Sequence, residues 1–343
     1  MIRKRVLAAV AIFAIALATG SGANADSVED FYKNKTLTIV VGFGAGGSYG
    51  IYGRLLANAM RKYVPGNPAV TPQFMPGGGS LKAINYLYNA APQDGTYIGM
   101  GIPQLAFNQL IFTKGIKFDM RHFSYIGRLA DDEVVFMVRS DAPGGGTVAG
   151  AKERQVVVGG SGKGTHTYMI PAAMNRLVGT KFKIVLGYKG AEAEWLAMER
   201  NEIQGMTGAW LNWQSAKQDW IDKKFIRPIV VVGMSPNPDL PNVPLLIDLA
   251  VNASDRQVLE FISSPTQIGR SVLAPPNVPA ARVAVLRAAF QKAVKDKDFL
   301  AGAEKVSLPV RAASGDEIQA AVQKVLSSSP ELVKRVKDVL DAN

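Results

Sequence analysis

Cysteine is absent from this chain of 343 residues. Its absence excludes cysteine nucleophiles, thiolate metal sites and redox pairs of thiols. Histidine occurs only as His122 and His166, so a histidine-rich metal site is excluded as well. The sequence therefore predicts neither a metal site nor a cofactor, and a protein of this size needs no disulfides if its hydrophobic cores are adequate.

The chain also lacks a long basic run, although its formal net charge is +11. Nucleic-acid binding proteins cluster lysine and arginine on one face or along one helix, so the dispersed charge here argues against a nucleic-acid partner. A diffuse positive field favours anionic ligands by steering their approach. A basic surface without any function is an equally good interpretation of the same charge.

Only the N-terminus carries a marked apolar run. Three basic residues at 3–5 precede the uncharged segment 6–18, and the small residues at 23–25 read Ala-Asn-Ala. This is the pattern of a cleavable signal peptide. The apolar core is well short of the ~20 residues that span a bilayer as a helix, which argues against an uncleaved anchor. We expect residues 1–25 to be removed and the remaining chain to be exported and soluble.

Short β-branched runs alternate with helical patterns, which predicts an α/β fold. Segments 36–41 and 69–74 read as strands, and each is followed by a glycine-rich turn and a helix. In the first of these helices Ile51, Leu55 and Ala59 recur at helical spacing. Such units form parallel sheets, and ligands bind at the carboxyl ends of their strands.

The length predicts two lobes, because single hydrophobic cores stop growing at ~250–300 residues. A second α/β unit begins near Glu133, and a proline-rich segment at 235–244 resembles a return to the first unit. We therefore predict a discontinuous first lobe from residues 26–131 and 233–343, and a second lobe from residues 132–232.

Three glycine-rich turns, at 42–48, 76–80 and 159–165, lie between a predicted strand and a predicted helix. Glycine lets a ligand approach the backbone, and the free N–H groups at the start of a helix attract anions. None of the turns fits the dinucleotide fingerprint or the phosphate-loop pattern. A single such turn is more simply explained as a tight turn, but three in equivalent positions favour a binding cleft.

A catalytic interpretation rests on Ser161 and His166, which are close in sequence. The segment lacks the GxSxG spacing of a nucleophile elbow, because Lys163 stands where the second glycine is needed. A triad also needs an orienting acid. An exported serine hydrolase using this pair therefore stays an alternative, and we predict that the protein is not an enzyme and has no catalytic residues.

The chain resembles the Bug-type extracytoplasmic solute receptors of tripartite tricarboxylate transporters. The resemblance runs through most of the chain, and its individually weak motifs gain specificity from their order and spacing. They are Leu37 to Gly47 with Arg54, Met75 to Ser80, Pro92 to Gly95, Phe123 to Arg128, Gly160 to His166, and Gly187 to Gly190.

The resemblance implies a type II periplasmic binding-protein fold, with two α/β lobes that close on a ligand cleft. It implies a mono- or dicarboxylate ligand, an aromatic acid included, with one carboxylate held by backbone amides and ordered water between residues 46–48 and 77–80. The other end of the ligand would face the second lobe. The candidate ligand-binding residues are Phe43, Ala45, Gly46, Gly47, Ser48, Tyr49, Gly78, Gly79, Ser80, Ser161, Thr165, His166, Tyr188 and Trp210.

The expected partners are the membrane permease subunits of a tripartite transporter, and a receptor that docks on a permease is expected to be monomeric. A ligand-sensing partner of a membrane kinase is an alternative with the same fold. Two positions depart from the family pattern. Gly50 stands where the family usually has an aspartate, and Trp210 follows Gly208 and Ala209 where an acidic residue is common. Trp210 and Trp213 could pack in the core or form an aromatic wall of the cleft.

Overall fold

The structure is a computed structural model, and it describes residues 27–112 and 114–341. The predicted signal peptide at 1–25 lies outside the described residues. Within the described part of the chain, no helix combines the length and the apolar character that crossing a membrane requires.

Helices and strands alternate along most of the chain. The strands are β1 Thr36–Val41, β2 Ala69–Phe74, β3 Tyr97–Met100, β4 Ser124–Arg128, β5 Val134–Arg139, β6 Val156–Gly160, β7 Phe182–Leu186, β8 Gly205–Ala209, β9 Ile226–Val232, β10 Ser271–Ala274 and β11 Ala313–Ser314. The α-helices are α1 Val28–Tyr32, α2 Ser48–Met60, α3 Leu81–Asn89, α4 Leu105–Ile111, α5 Val148–Glu153, α6 His166–Ala173, α7 Ala191–Glu199, α8 Trp210–Asp222, α9 Ala253–Ser263, α10 Pro265–Ile268, α11 Ala280–Ala293, α12 Lys297–Glu304, α13 Gly315–Leu326 and α14 Pro330–Val339. Short 3₁₀ segments at Met120–His122 and Leu246–Leu249 and a π-helical turn at Met174–Val178 complete the set.

The first sheet has six strands in the order β11-β4-β10-β3-β1-β2. Strands β1, β2 and β3 are parallel, so the loops that follow them leave the same edge of the sheet. The strands predicted at 36–41 and 69–74 are confirmed with those bounds. The expectation of purely parallel pairing is wrong, because β10 runs antiparallel between β3 and β4.

The second sheet has five strands in the order β7-β6-β8-β5-β9, with β5 antiparallel to both of its neighbours. All of its strands come from residues 134–232, whereas the first sheet takes strands from both sides of that segment. This distribution supports the lobe boundaries at 131/132 and 232/233, which we retain as a proposal. Below, "first lobe" and "second lobe" refer to those two parts of the chain.

The buried face of α2 differs in part from the predicted one. Tyr52, Leu56 and Met60 are fully buried against the first sheet, while Ile51 and Leu55 are only half-buried. The physical reason is that α2 packs on two sides, since it also contacts α12. Helical spacing alone does not reveal which of two apolar stripes faces the sheet.

The two lobes touch on the side of α4 and α6. The Asn108 Nδ2 group on α4 donates to the Gly164 carbonyl oxygen at 3.2 Å, and the Tyr168 hydroxyl on α6 donates to the Leu340 carbonyl oxygen at 3.1 Å. These contacts bring the loop after β6 toward the edge of the first sheet at which β1, β2 and β3 end.

Candidate ligand-binding cleft

The ends of β1, β2 and β3 are tied together by three short contacts. The Gly42 amide donates to the Met100 carbonyl oxygen at 3.0 Å, and the Ile102 amide donates to the Ser80 hydroxyl at 3.0 Å. A Cβ atom added at Gly42 would lie 2.3 Å from the Ser80 Cβ atom, so only glycine permits this approach. The glycine turns after β1 and β2 therefore lie side by side.

The turn after β1 presents unused donors. Among the described residues, none accepts a hydrogen bond from the amides of Gly46, Gly47 or Ser48, and Ser48 begins α2. A Cβ atom added at Gly46 or Gly47 would have no other heavy atom within 4 Å, which shows open space at this turn. Free amides at a helix N-terminus, with the positive end of the helix dipole, favour an anion.

The turn after β2 is held in a backbone conformation that suits glycine. The φ angles of Gly77, Gly78 and Gly79 are 145°, 59° and 59°, and Ser80 itself has a φ of 69°. The three glycines are exposed, but the Ser80 side chain is fully buried on the Ile102 amide. Ser80, predicted as a ligand-binding residue, therefore has no exposed surface here and supports the turn through the Ile102 amide. Residues 46–48 and 77–80 are called the amide cradle below.

A buried arginine lies beneath the amide cradle. The Arg270 side chain donates from Nη1 to the Ser48 hydroxyl at 2.6 Å and from Nη2 to an Asp132 carboxylate oxygen at 3.2 Å. Its guanidinium carbon lies 4.7 Å from the centre of the Tyr49 ring, which in turn packs on Phe43 at 4.5 Å. Burial would lower the pKa of Arg270, but the charge of Asp132 offsets this and the pKa ends above its ordinary value.

Sequence reasoning missed both Arg270 and Asp132. A weak signal was present, because Arg270 directly precedes the short apolar strand β10, and an arginine there needs a buried partner. The identity of that partner is not encoded locally.

In the second lobe, the candidate residues form a cluster of hydroxyl groups at the start of α6. The Ser161 hydroxyl contacts those of Thr165 and Thr167, each at 3.3 Å, and the latter two are 2.6 Å apart. The His166 Nδ1 atom pairs with the Thr207 hydroxyl at 2.9 Å. Burial lowers the pKa of His166, against an opposing effect of the Asp132 charge, so the ring is neutral at neutral pH.

This geometry does not support the hydrolase alternative. In the described part of the chain, no hydrogen bond joins Ser161 to His166, and the Nδ1 atom of His166 pairs with a threonine instead of an acid. A serine nucleophile needs both a base within hydrogen-bond reach and an acid that orients the base.

Tyr188 and Trp210 occupy different environments. Tyr188 is half-buried, and its amide donates to the Gly160 carbonyl oxygen at 3.4 Å, which places the loop after β7 beside the loop after β6. Trp210 is buried and donates from Nε1 to Asp239 at 2.8 Å. It borders a cavity of about 570 Å³ that is also lined by residues 131–133, where the chain crosses from the first lobe to the second. Trp213 has no exposed surface and packs on Trp195, so it belongs to the core.

Sequence reasoning also gave no indication that Glu194 is a buried carboxyl group. Burial raises the pKa of this side chain, on α7, to about 7. Its Oε1 atom has no partner among the described residues, and its side chain is only 2% exposed. A buried carboxyl group without a cation beside it is expected to hold its proton.

The arrangement of two α/β lobes with facing strand-end loops defines a type II periplasmic binding protein. A TctC solute-binding protein from Polaromonas, solved without ligand, has a TM-score of 0.67 and 20% identity over 90% of this chain and 99% of that one. MatC of Rhodopseudomonas palustris with bound malate gives 0.63 and 19% over 89% and 99%. An R. palustris protein with adipate gives 0.64 and 16% over 90% and 97%. These likenesses establish the fold.

The family follows from the sequence. The family model described as tripartite tricarboxylate transporter family receptor matches residues 53–337, and the chain belongs to this family. Its members are solute-binding receptors of the periplasm and are not enzymes. The predicted family and fold class are therefore confirmed.

Proposed function

We propose that this protein is a periplasmic receptor that captures a small mono- or dicarboxylate and delivers it to the membrane subunits of a tripartite tricarboxylate-type transporter. The observation that carries the proposal is the amide cradle, in which unused N–H donors of 46–48 lie beside the glycine turn of 77–80. Such donors bind a carboxylate without any charged partner in the cleft. Two relatives of the same fold hold malate and adipate, which supports a carboxylate ligand.

The far end of the ligand would meet the second lobe. The hydroxyls of Ser161 and Thr165, the neutral His166 ring and Tyr188 line the loops after β6 and β7. These groups can hydrogen-bond a second carboxylate or border an aromatic ring, so they would set the length and class of the acid. The crossings between the lobes then act as the hinge.

Binding is tested by the thermal unfolding of residues 26–343 against malate, adipate, a monocarboxylate and an aromatic acid. A ligand at one hundred times its Kd should add ~2.7 kcal/mol to the free energy of unfolding. The corresponding neutral diamides serve as controls and should give no shift. A protein that none of the acids stabilises would contradict the proposal.

The role of the amide cradle is tested by removing one donor. Gly47 has a φ of −80°, which proline also adopts, and its amide has no acceptor among the described residues. Gly47→Pro should weaken carboxylate binding about tenfold or more, because a hydrogen bond to a charged group is lost. Gly47→Ala keeps the amide, meets no neighbour within 4 Å and should bind as the wild type does.

Delivery and localisation need separate measurements. The exported protein should begin at Asp26, which N-terminal sequencing of the periplasmic fraction determines. Uptake of a labelled acid by cells that carry the candidate membrane subunits should depend on this chain. Uptake at the same rate without it would remove the transport part of the proposal and leave the binding part standing.

A further inference from the structure

Arg270 is one of the most deeply buried charges in the described part of the chain, at 2% exposure. Its Nη1 atom donates to Ser48 and its Nη2 atom donates to Asp132, while its Nε atom has no partner among the described residues. The guanidinium also lies over the rings of Tyr49 and Tyr52, at 4.7 Å and 5.7 Å. Because Arg270 is buried and its Nη1 and Nη2 atoms already have partners, it does not contact a ligand directly.

The hydrogen bond from Arg270 makes the Ser48 oxygen an acceptor. A guanidinium can only donate, so the Ser48 oxygen accepts, and its own hydrogen stays available for another acceptor. Ser48 is half-buried, belongs to the amide cradle and carries one of the unused amides. A hydroxyl that accepts from a cation becomes a stronger donor, because successive hydrogen bonds polarise one another.

We propose that Arg270 is a positioning residue that acts through Ser48, so that the Ser48 hydroxyl donates to the ligand carboxylate beside the amides of Gly46 and Gly47. This inference rests on the proposed function and assigns a route by which a buried cation favours an anion in the cleft. The carboxylate then receives main-chain donors and one side-chain donor from the same turn.

Two main-chain hydrogen bonds fix the position of Arg270. Its amide donates to the Ala130 carbonyl oxygen at 2.8 Å, and its carbonyl oxygen accepts from the Leu129 amide at 3.0 Å. Asp132, the second partner of the guanidinium, follows in the same crossing between the lobes. A donor fixed before the ligand arrives loses little freedom on binding.

A purely structural role for Arg270, as the partner of Asp132, makes a different prediction. In that case Arg270→Lys would change the Kd by the same factor with and without the Ser48 hydroxyl. The two interpretations therefore separate in the coupling between Arg270 and Ser48, a half-buried position outside the hydrophobic core.

The test is calorimetric titration with malate and adipate of the wild type, Ser48→Ala and Ser48→Thr. Loss of a charge-assisted hydrogen bond predicts a Kd raised about tenfold to a hundredfold in Ser48→Ala. Ser48→Thr keeps the hydroxyl and should stay within about threefold of the wild type. The Tm of unliganded Ser48→Ala should fall, because the buried Nη1 atom of Arg270 loses its acceptor. The titrations are therefore made at a temperature at which all three proteins are folded, which separates binding from stability.

A double-mutant cycle completes the test. Arg270→Lys should raise the Kd in the wild-type background but change it less than about twofold in the Ser48→Ala background, because coupled residues are not additive. If Arg270→Lys does not fold, equal binding by Ser48→Ala still overturns the proposal, and weak binding by Ser48→Ala with near-wild-type binding by Ser48→Thr supports it.

The outcomes separate the two proposals. Wild-type protein that binds an acid while Ser48→Ala binds it equally well overturns the role of Arg270 and leaves the receptor function intact. Wild-type protein that binds no carboxylate overturns the receptor function itself.

Discussion

Gly50 lies in the first turns of α2, directly beneath the turn that forms part of the amide cradle. A Cβ atom at this position would lie 2.4 Å from the Ala45 carbonyl oxygen and 2.5 Å from that of Gly44. Neither is the end of a flexible side chain, so the backbone would have to move. The turn in the form seen here therefore has no room for a side chain at position 50.

The first prediction concerns Gly50→Asp, which introduces the residue that the resemblance implies at this position. The clash should lower the free energy of unfolding by about 1–3 kcal/mol and weaken carboxylate binding, because the turn is displaced. Denaturant unfolding measures the stability. Gly44→Ala in the same turn meets no atom within 4 Å and should change it by less than about 0.5 kcal/mol. A Gly50→Asp protein as stable as the wild type would show that the turn can rearrange without a cost in free energy.

The second prediction uses the buried carboxyl group of Glu194, whose pKa burial raises from 4.5 to about 7. The unfolded chain loses this proton near pH 4.5 while the folded protein keeps it, so the wild type loses stability as the pH rises from 4.5 to 7. Glu194→Gln cannot ionise. Its stability relative to the wild type should therefore be greater at pH 8 than at pH 4.5, by up to roughly 3 kcal/mol.

Denaturant unfolding at the two pH values measures this difference. Glu192→Gln, an exposed position on the same helix, should change stability by less than about 0.5 kcal/mol at both. An equal effect of Glu194→Gln at the two pH values would mean that the wild-type carboxyl group is already ionised when folded.

At the scale of elements, one buried side chain joins the loops that follow the parallel strands β2 and β3. Ser80 has a φ of 69°, is fully buried and binds the Ile102 amide, which belongs to the loop after β3. The turn after β2 is thereby joined to the next strand end rather than only to its own helix.

The third prediction is that Ser80→Ala lowers the free energy of unfolding by about 1–3 kcal/mol, since the Ile102 amide loses its acceptor. Carboxylate affinity should fall as well, because the glycine turn at 77–79 is no longer held in place. Ser327→Ala is a suitable control: its hydroxyl only donates to a carbonyl oxygen of its own helix end. Unchanged affinity in a destabilised Ser80→Ala protein would show that the turn holds its shape alone.

For the whole molecule, hydrogen bonds between the lobes hold them together on the side of α6. Tyr168 on α6 donates to the Leu340 carbonyl oxygen at the end of α14, and Lys163 donates to the Asp341 carbonyl oxygen at 3.3 Å. The loop that carries Ser161 and Thr165 is thus anchored to the C-terminal helix of the first lobe.

The fourth prediction is that Tyr168→Phe raises the Kd for a carboxylate about three- to tenfold, because a smaller fraction of the protein is closed before binding. Titration calorimetry measures the Kd, and small-angle scattering of the unliganded protein should show a larger radius of gyration. Tyr63→Phe removes a hydroxyl that binds Asp296 within the first lobe and should leave both unchanged. Wild-type values for Tyr168→Phe would place the closing contacts elsewhere.

The sequence by itself determined the features that depend on neighbouring residues. Strands β1 and β2 have the predicted bounds, because short β-branched runs ended by glycine or turn residues identify strands locally. The cap of α14 is equally local: the Ser329 hydroxyl accepts from the Leu332 amide, and Pro330 occupies the first helical position. The order of the glycine turns was enough to recognise the family.

Only the tertiary structure decided which distant groups meet. Arg270 lies 222 positions from Ser48 and 138 from Asp132 along the chain, and these contacts exist because β10 inserts antiparallel between β3 and β4. A buried strand of four residues has no alternation of apolar and polar residues from which its neighbouring strands could be predicted. Propensity and turn chemistry act over a few residues, whereas the partner of a buried charge is set by strand order across the whole sheet.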